Sequence, residues 1–218
     1  MTNINKLIQD LTLKEKISLM SGFNSWYTNK IERLGVPSIK MSDGPNGVRG
    51  DSTSGKSSAC FPCAISIGST WDMDLINQLG VALGEEAKVK DVDVLLGPTI
   101  NIHRHPLGGR HFESFSEDPF LTGKIATEYV KGVQSQNVAA CLKHFIGNDT
   151  EYERHLVSSN IDEKTLREIY LLPFEMGVKE GNAQVVMSAY NKLNNIYCSS
   201  HKELLIDILK DEWGFDGY

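Results

Sequence analysis

Four short apolar runs in this 218-residue chain each lead into polar residues of the kind that grip hydroxyl groups. Ile39-Lys-Met41 runs into Ser42-Asp43-Gly44-Pro45-Asn46-Gly47-Val48-Arg49. Leu95-Leu96 is followed by Gly97-Pro98 and then Asn101-Ile-His-Arg104. Cys141-Leu142 continues directly as Lys143-His144 and reaches Asn148-Asp149, and Val185-Val186 continues as Met187-Ser-Ala-Tyr190-Asn191. Together these segments supply charged donors, carboxylate acceptors and an aromatic face. Such a set suits a polyhydroxylated ligand, whose hydroxyls each donate and accept. The plainer reading is that strand ends are polar because they meet loops, and for any single residue it competes evenly. Lys143-His144 resists it, because a lysine that continues a buried strand is costly without a partner or a ligand.

The elements that must hold these residues are legible in outline. Val92 to Leu96, Ala139 to Leu142 and Gln184 to Ala189 read as buried strands, short and apolar on both faces. Helical patterns lie between them. Thr12-Leu-Lys-Glu15 and Ser200-His-Lys-Glu203 have the form of capping boxes. A helix after Thr70 carries Ile76, Leu79, Leu83 and Ala87, and another near Asp162 carries Leu166, Ile169 and Tyr170. The last helix carries Leu204, Leu205, Ile208 and Leu209 and is closed by Gly214. Alternating strands and helices imply an α/β fold with a parallel sheet and right-handed crossovers. An open doubly wound sheet and a closed barrel both satisfy that pattern, and in either the ligand site lies at the carboxyl ends of the strands. Gly50 to Ser58 reads as a loop and not as a domain boundary.

Composition narrows the function. A net charge of −6 with scattered Lys and Arg argues against a nucleic-acid partner, which calls for a basic face. No stretch approaches the roughly 20 apolar residues of a membrane span, and the first ten residues lack a signal-peptide apolar run. The expected location is cytoplasmic. Cys60, Cys63, Cys141 and Cys198 show no disulfide framework, in keeping with that.

The same segments resemble the N-terminal domain of family 3 glycoside hydrolases. The resemblance is carried by Ser42-Asp-Gly-Pro-Asn-Gly-Val-Arg49, Leu96-Gly-Pro-Thr-Ile-Asn-Ile-His-Arg104, Gly109-Arg-His-Phe-Glu-Ser-Phe-Ser-Glu-Asp-Pro119, Lys143-His-Phe-Ile-Gly-Asn148 and Met187-Ser-Ala-Tyr-Asn191, which span nearly the whole chain. It implies a (β/α)8-type barrel, here partial and lacking its last strands, over residues 1–218. It implies hydrolysis of terminal β-D-glucosyl residues by the retaining two-carboxylate route. Carried over by position, Asp43 accepts from sugar hydroxyls, and Arg110, Lys143 and His144 donate to them. Arg154 orders the pocket near the nucleophile, and Met187 and Tyr190 pack against the ring. Arg49 braces Asp43, and Glu113 holds Arg110. The resemblance places the nucleophile beyond Tyr218 and the acid/base in a following α/β sandwich domain. It therefore gives no catalytic carboxylate to Asp118, Asp149, Glu151 or Asp216, and it implies no cofactor. A barrel without its last strands has open edges, so the chain alone is expected to be poorly stable.

Rival readings rest on particular residues. A β-N-acetylglucosaminidase of the same family carries a histidine loop after Lys-His-Phe, whereas Ile146-Gly147-Asn148-Asp149 stands here. A β-xylosidase is not separated by these residues. Cys60-Phe-Pro-Cys63 has the spacing of a redox motif, but a Gly/Ser loop precedes it where a strand is needed. His103, His105 and His111 lie close together in sequence without metal-ligand spacing. A non-catalytic sugar-binding fragment is the remaining alternative.

Overall fold

The computed structural model describes residues 4–50 and 56–218; residues 51–55 of the Gly50–Ser58 segment lie outside the described residues. Helices α1 (Ile4–Asp10) and α2 (Leu13–Ser21) precede the sheet. The box that starts α2 is formed: Glu15 N donates to Thr12 Oγ1 at 3.3 Å, and Thr12 N donates to Glu15 Oε2 at 2.8 Å. The chain continues through β1 (Met41–Ser42), α3 (Ala64–Gly68), α4 (Met73–Val89), β2 (Val94–Leu95), α5 (Pro119–Gln134) and β3 (Ala139–Phe145). A short β4 (Ser158–Ser159) leads to α6 (Glu163–Thr165), which runs on through a π-helical stretch into α7 (Leu172–Lys179). Next come β5 (Val185–Ser188), a hairpin of β6 (Lys192–Leu193) and β7 (Ile196–Tyr197), and a final π-helix, Glu203–Glu212. Among the described residues no helix is long and apolar enough to cross a membrane.

The main sheet is parallel with the order β1-β2-β3-β5. Each strand pairs with the one that precedes it in this sheet, so every crossover steps the same way. A doubly wound sheet would reverse direction at a switch point. The sheet is therefore an arc of a barrel, and the described strands do not close it. Val186 N donates to Tyr218 O at 2.9 Å and Tyr218 N to Gln184 O at 3.0 Å, so the last residue lies alongside β5.

Alternation along β3 separates two apolar layers. Ala140 and Leu142 face the helices, where they pack with Leu83, Ile125, Val133 and Phe174. Cys141 faces the barrel interior with Val94 and Val185, flanked by Met41, Leu96, Ala139 and Met187. Lys143 is two residues past Cys141 and so opens the interior face at the strand's carboxyl end. Met187 is its register partner on β5. Outside the sheet α4 and α5 pass backbone to backbone. A Cβ on Gly132 would lie 2.3 Å from Asn77 O and 2.9 Å from Gly80 Cα, which only glycine permits.

Two local readings need correction. Ser200 does not cap the last helix: it ends a 3₁₀ turn, Cys198–Ser200, and its hydroxyl donates to Tyr197 O at 3.3 Å. The turn's own carbonyl outcompetes the helix for that hydroxyl. His201 Nδ1 stands in for it, 3.5 Å from Leu204 N. The other correction concerns α1, α3 and α5, all absent from the sequence reading, of which α5 is the longest. Asp118 caps it by accepting from Leu121 N at 2.7 Å, and Pro119 sits at its first position.

Candidate active site

The loop after β1 carries Asp43 and Arg49 back against one another. Arg49 N donates to Asp43 O at 3.0 Å, and Gly50 N donates to Ser42 Oγ at 2.9 Å. Gly47 makes the return possible, with φ +155° and a position where a Cβ would lie 2.0 Å from Ala59 O. From below, Tyr129 of α5 donates its hydroxyl to Pro45 O at 2.9 Å.

Lys143 reaches this loop from β3. Its Nζ lies 3.0 Å from Asp43 Oδ1, with the lysine side chain 5% exposed and the aspartate side chain 36%. Arg49 Nη1 stands 3.7 Å from Asp43 Oδ2. Burial raises the Asp43 pKa, but Lys143, the Gly44 N–H and Arg49 together outweigh it, and the net shift is downward. Asp43 is a carboxylate at neutral pH, with one firm cation and one looser one.

A second group is built on Glu151. Its Oε2 accepts from Arg154 Nη1 at 2.8 Å, and its Oε1 lies 3.8 Å from Arg110 Nη1. Arg110 Nε donates to Glu113, which also accepts from Thr99 Oγ1 at 3.1 Å. The Arg154 guanidinium lies over the Tyr190 ring at 5.3 Å, and the His155 ring is 4.6 Å from the same tyrosine. Glu151 joins the two arginines and was not anticipated as a connector. Its position three residues before Arg154 was the available signal.

His144 links the groups. Asn101 donates from Nδ2 to His144 O at 2.9 Å and accepts from His144 N at 3.0 Å, so the backbone fixes which way the amide faces. Its Oδ1 is also 3.3 Å from His144 Nδ1. That assignment puts the ring proton on Nδ1 and leaves Nε2 an acceptor. Burial drives the imidazole pKa down to about 3, aided by Lys143 and Arg110 and by Arg154, with Asp43 opposing. The ring therefore feels both charge groups, which makes them one site. All seven residues expected from the sequence are at the carboxyl ends of the strands or in the loops that follow.

Asp149, next along the same loop, is buried, and neither carboxylate oxygen has a hydrogen-bond partner of sound geometry. Burial pushes its pKa up to about 6, against the pull of Arg104 and the Tyr170 hydroxyl. The folded pKa exceeds the unfolded one, so the folded state binds more protons between the two values. The carboxylate thus costs stability as pH rises from about 4 to 6, and the full penalty of about 3 kcal/mol is present above that. Asp149→Asn is expected to stabilise the protein by that order at pH 7 and not at all at pH 4. A melting series in which the variant and parent stay parallel from pH 4 to pH 7 would contradict this. His144 has the opposite sign, since its neutral folded form favours stability more as pH rises from 3 to 6.5.

The rival sites do not assemble. Cys60 and Cys63 are free thiols, and Cys63 only precedes the short α3. His103 Nε2 is engaged with Ser114 O and His111 Nε2 with His105 O. Among the described residues no group of three or more His, Cys, Asp or Glu could hold a metal ion. A cavity of about 610 Å³ beside Trp71, Phe115 and Phe120 lies apart from the charged rim.

Residues 5–218 match the family described as "Glycosyl hydrolase family 3 N terminal domain". The chain is 56% identical over 216 residues to a β-glucosidase of Rhizobium radiobacter, covering 98% of this chain and 26% of that protein. It is 49% identical over 224 residues to thermostable β-glucosidase B of Acetivibrio thermocellus, covering 99% and 30%. The fold superposes on the crystal structure of a Kluyveromyces marxianus β-glucosidase in complex with glucose with a TM-score of 0.96 at 49% identity, covering 100% of this chain and 26% of that one. For β-glucosidase 3B of Thermotoga neapolitana in complex with α-D-glucose the TM-score is 0.94 at 42% identity, covering 100% and 33%. The chain thus spans about a quarter to a third of the length of these relatives. With the family matched over nearly its whole length, this chain belongs to glycosyl hydrolase family 3, as the N-terminal domain.

Proposed function

We propose that this domain supplies the sugar-recognition rim of a retaining β-glucosidase, acting on terminal non-reducing β-D-glucosyl residues. The observation that carries the reading is the Asp43–Lys143 pair at the carboxyl end of the barrel arc. A carboxylate held ionised beside an ammonium can accept from one sugar hydroxyl while the lysine donates to its neighbour. Arg110 and Arg154 add donors across the rim, and Tyr190 and Met187 offer faces to the pyranose. His144 contributes differently from what the resemblance implied: with its proton on Nδ1, it accepts a hydrogen bond from a sugar hydroxyl at Nε2 instead of donating one.

The reading also says where the chemistry is not. Retaining hydrolysis needs two carboxyl groups about 5 Å apart, one attacking and one trading a proton. At this rim Asp43 is bound to Lys143, Glu113 to Arg110 and Thr99, and Glu151 to Arg154. Each is committed to a cation, which supports the placement that the resemblance implies, with the nucleophile and acid/base supplied from elsewhere in the full-length protein. The substrate is a β-glucoside or oligosaccharide, and no cofactor takes part. A cytoplasmic location fits the cysteine usage.

The test is hydrolysis of 4-nitrophenyl β-D-glucoside by the full-length gene product and by the 218-residue chain alone. Turnover by the former and none by the latter is the expected result. Faster turnover of the corresponding xyloside or N-acetylglucosaminide would overturn the glucoside assignment. Turnover by the short chain that depends on one of its own carboxylates would overturn the division of labour.

A further inference from the structure

Val48 precedes Arg49 in the loop after β1, is fully buried, and is gripped from both sides by one helix. Its N–H donates to Glu86 Oε2 at 2.9 Å, and its carbonyl accepts from Lys90 Nζ. Glu86 and Lys90 stand one turn apart at the end of α4, joined at 3.0 Å, with side chains 14% and 2% exposed. The same pair ties down Ser58 and Ala59, further along the chain. Glu86 Oε1 accepts from Ala59 N at 2.7 Å, and Lys90 Nζ donates to Ser58 Oγ at 2.6 Å, whose hydroxyl donates to Val48 O at 2.7 Å. From the sheet side, Lys40 Nζ donates to Lys90 O at 2.8 Å.

A buried ion pair is a poor device for stability, since the desolvation of both charges offsets most of their attraction. An apolar pair of similar volume would pack in its place. What an apolar pair cannot do is hold the N–H and the C=O of one chosen residue. Burial raises the Glu86 pKa, yet the Val48 and Ala59 N–H groups and Lys90 bring it below its ordinary value, so the clamp is charged at neutral pH. Among the described residues Arg49 has little else to aim it. Its side chain is 70% exposed and its guanidinium meets Asp43 only at 3.7 Å. Its direction is set by its backbone, and that backbone leaves from the clamped residue.

We propose that Glu86 and Lys90 are positioning residues for sugar recognition, acting through the Val48 peptide to aim Arg49 at Asp43 and at the hydroxyl that Asp43 binds. The ligand in this statement rests on the β-glucoside reading above, whereas the clamp itself is readable without a ligand.

The experiment compares Lys90→Met, Lys90→Arg and Glu86→Gln with the parent in the full-length protein. It measures three things: steady-state kinetics on 4-nitrophenyl β-D-glucoside, amide hydrogen exchange, and thermal melting. In Lys90→Met the amides of Val48, Arg49 and Gly50 exchange faster, and kcat/KM falls on the order of 10²-fold, mainly through KM. Lys90→Arg, which keeps the donors, returns most of the lost KM. Glu86→Gln gives the same direction of change and serves where Lys90→Met does not fold. A variant with lowered melting temperature but unchanged KM would make the pair purely structural and overturn the proposal. So would unchanged exchange at Val48. If the parent hydrolyses no glucoside, the glucosidase reading fails, and the positioning claim is then decided by whether Lys90→Met alone releases exchange at Arg49.

Discussion

Lys143→Ala lowers kcat/KM for an aryl β-D-glucoside by about 10³-fold in the full-length protein, with both kcat and KM affected. Lys143 is the better buried partner of its pair and the only cation that meets Asp43 at hydrogen-bond distance among the described residues. Truncating one member of such a pair costs roughly 2 to 5 kcal/mol, because the other charge is left without its partner. Here that loss also falls on the ligand, which forfeits a charged donor beside the carboxylate. Lys143→Arg recovers little, since a planar guanidinium does not occupy the buried place of a compact ammonium. Melting curves recorded alongside the kinetics separate a damaged site from a damaged fold. Unchanged kcat/KM in Lys143→Ala would remove this residue from substrate binding.

Phe145→Ala produces the largest expected loss of stability, about 4 kcal/mol of unfolding free energy. Phe145 is completely buried at the end of β3, immediately after Lys143-His144. Its ring meets Phe174 of α7 at 5.0 Å and Trp213, just past the last helix, at 6.0 Å, both edge-on. Three elements distant in sequence share that contact, so the cavity cannot be filled by the shift of one side chain. The Ala189 N–H also bonds to Phe145 O at 2.6 Å, which ties the β5 loop to the same residue. Urea unfolding of parent and variant measures the effect. A difference under about 1 kcal/mol would mean that the site collapses around the smaller residue.

The strands of the main sheet and the helices after Thr12, Thr70, Asp162 and Ser200 were legible because burial on both faces and helical periodicity leave plain marks in sequence. Helix α5 was not, although Asp118-Pro119 is a strong start signal. Its Thr122, Gly123 and Gly132 are small buried positions set by close contact with neighbouring elements, and they interrupt the apolar stripe. The choice between barrel arc and doubly wound sheet depended on strand order, which no local pattern encodes. In the site, Asp43, Lys143 and His144 stood out as charged or polar residues after apolar runs, whereas Arg110 was carried by the family resemblance alone. Glu86 and Lys90 did not, because each works through Val48, 38 and 42 positions back along the chain. Asn101 was legible as a polar residue after a strand but not in its role: it grips a peptide 43 positions away and fixes which imidazole nitrogen carries the proton.

The two groups built on Asp43 and Glu151 leave the rim with uneven charge. Arg49, Arg110, Lys143 and Arg154 bring four cations, whereas Asp43, Glu113 and Glu151 bring three carboxylates, and His144 is neutral. On the proposed β-glucosidase reading, a surplus of one positive charge repels an oxocarbenium-like sugar, so the rim by itself would disfavour that cationic transition state. The same surplus lowers the pKa of any carboxyl group brought into it. The arrival of one further carboxylate would cancel the excess, hold that group ionised at mildly acid pH, and turn an electrostatically hostile rim into one that tolerates positive charge at the anomeric carbon.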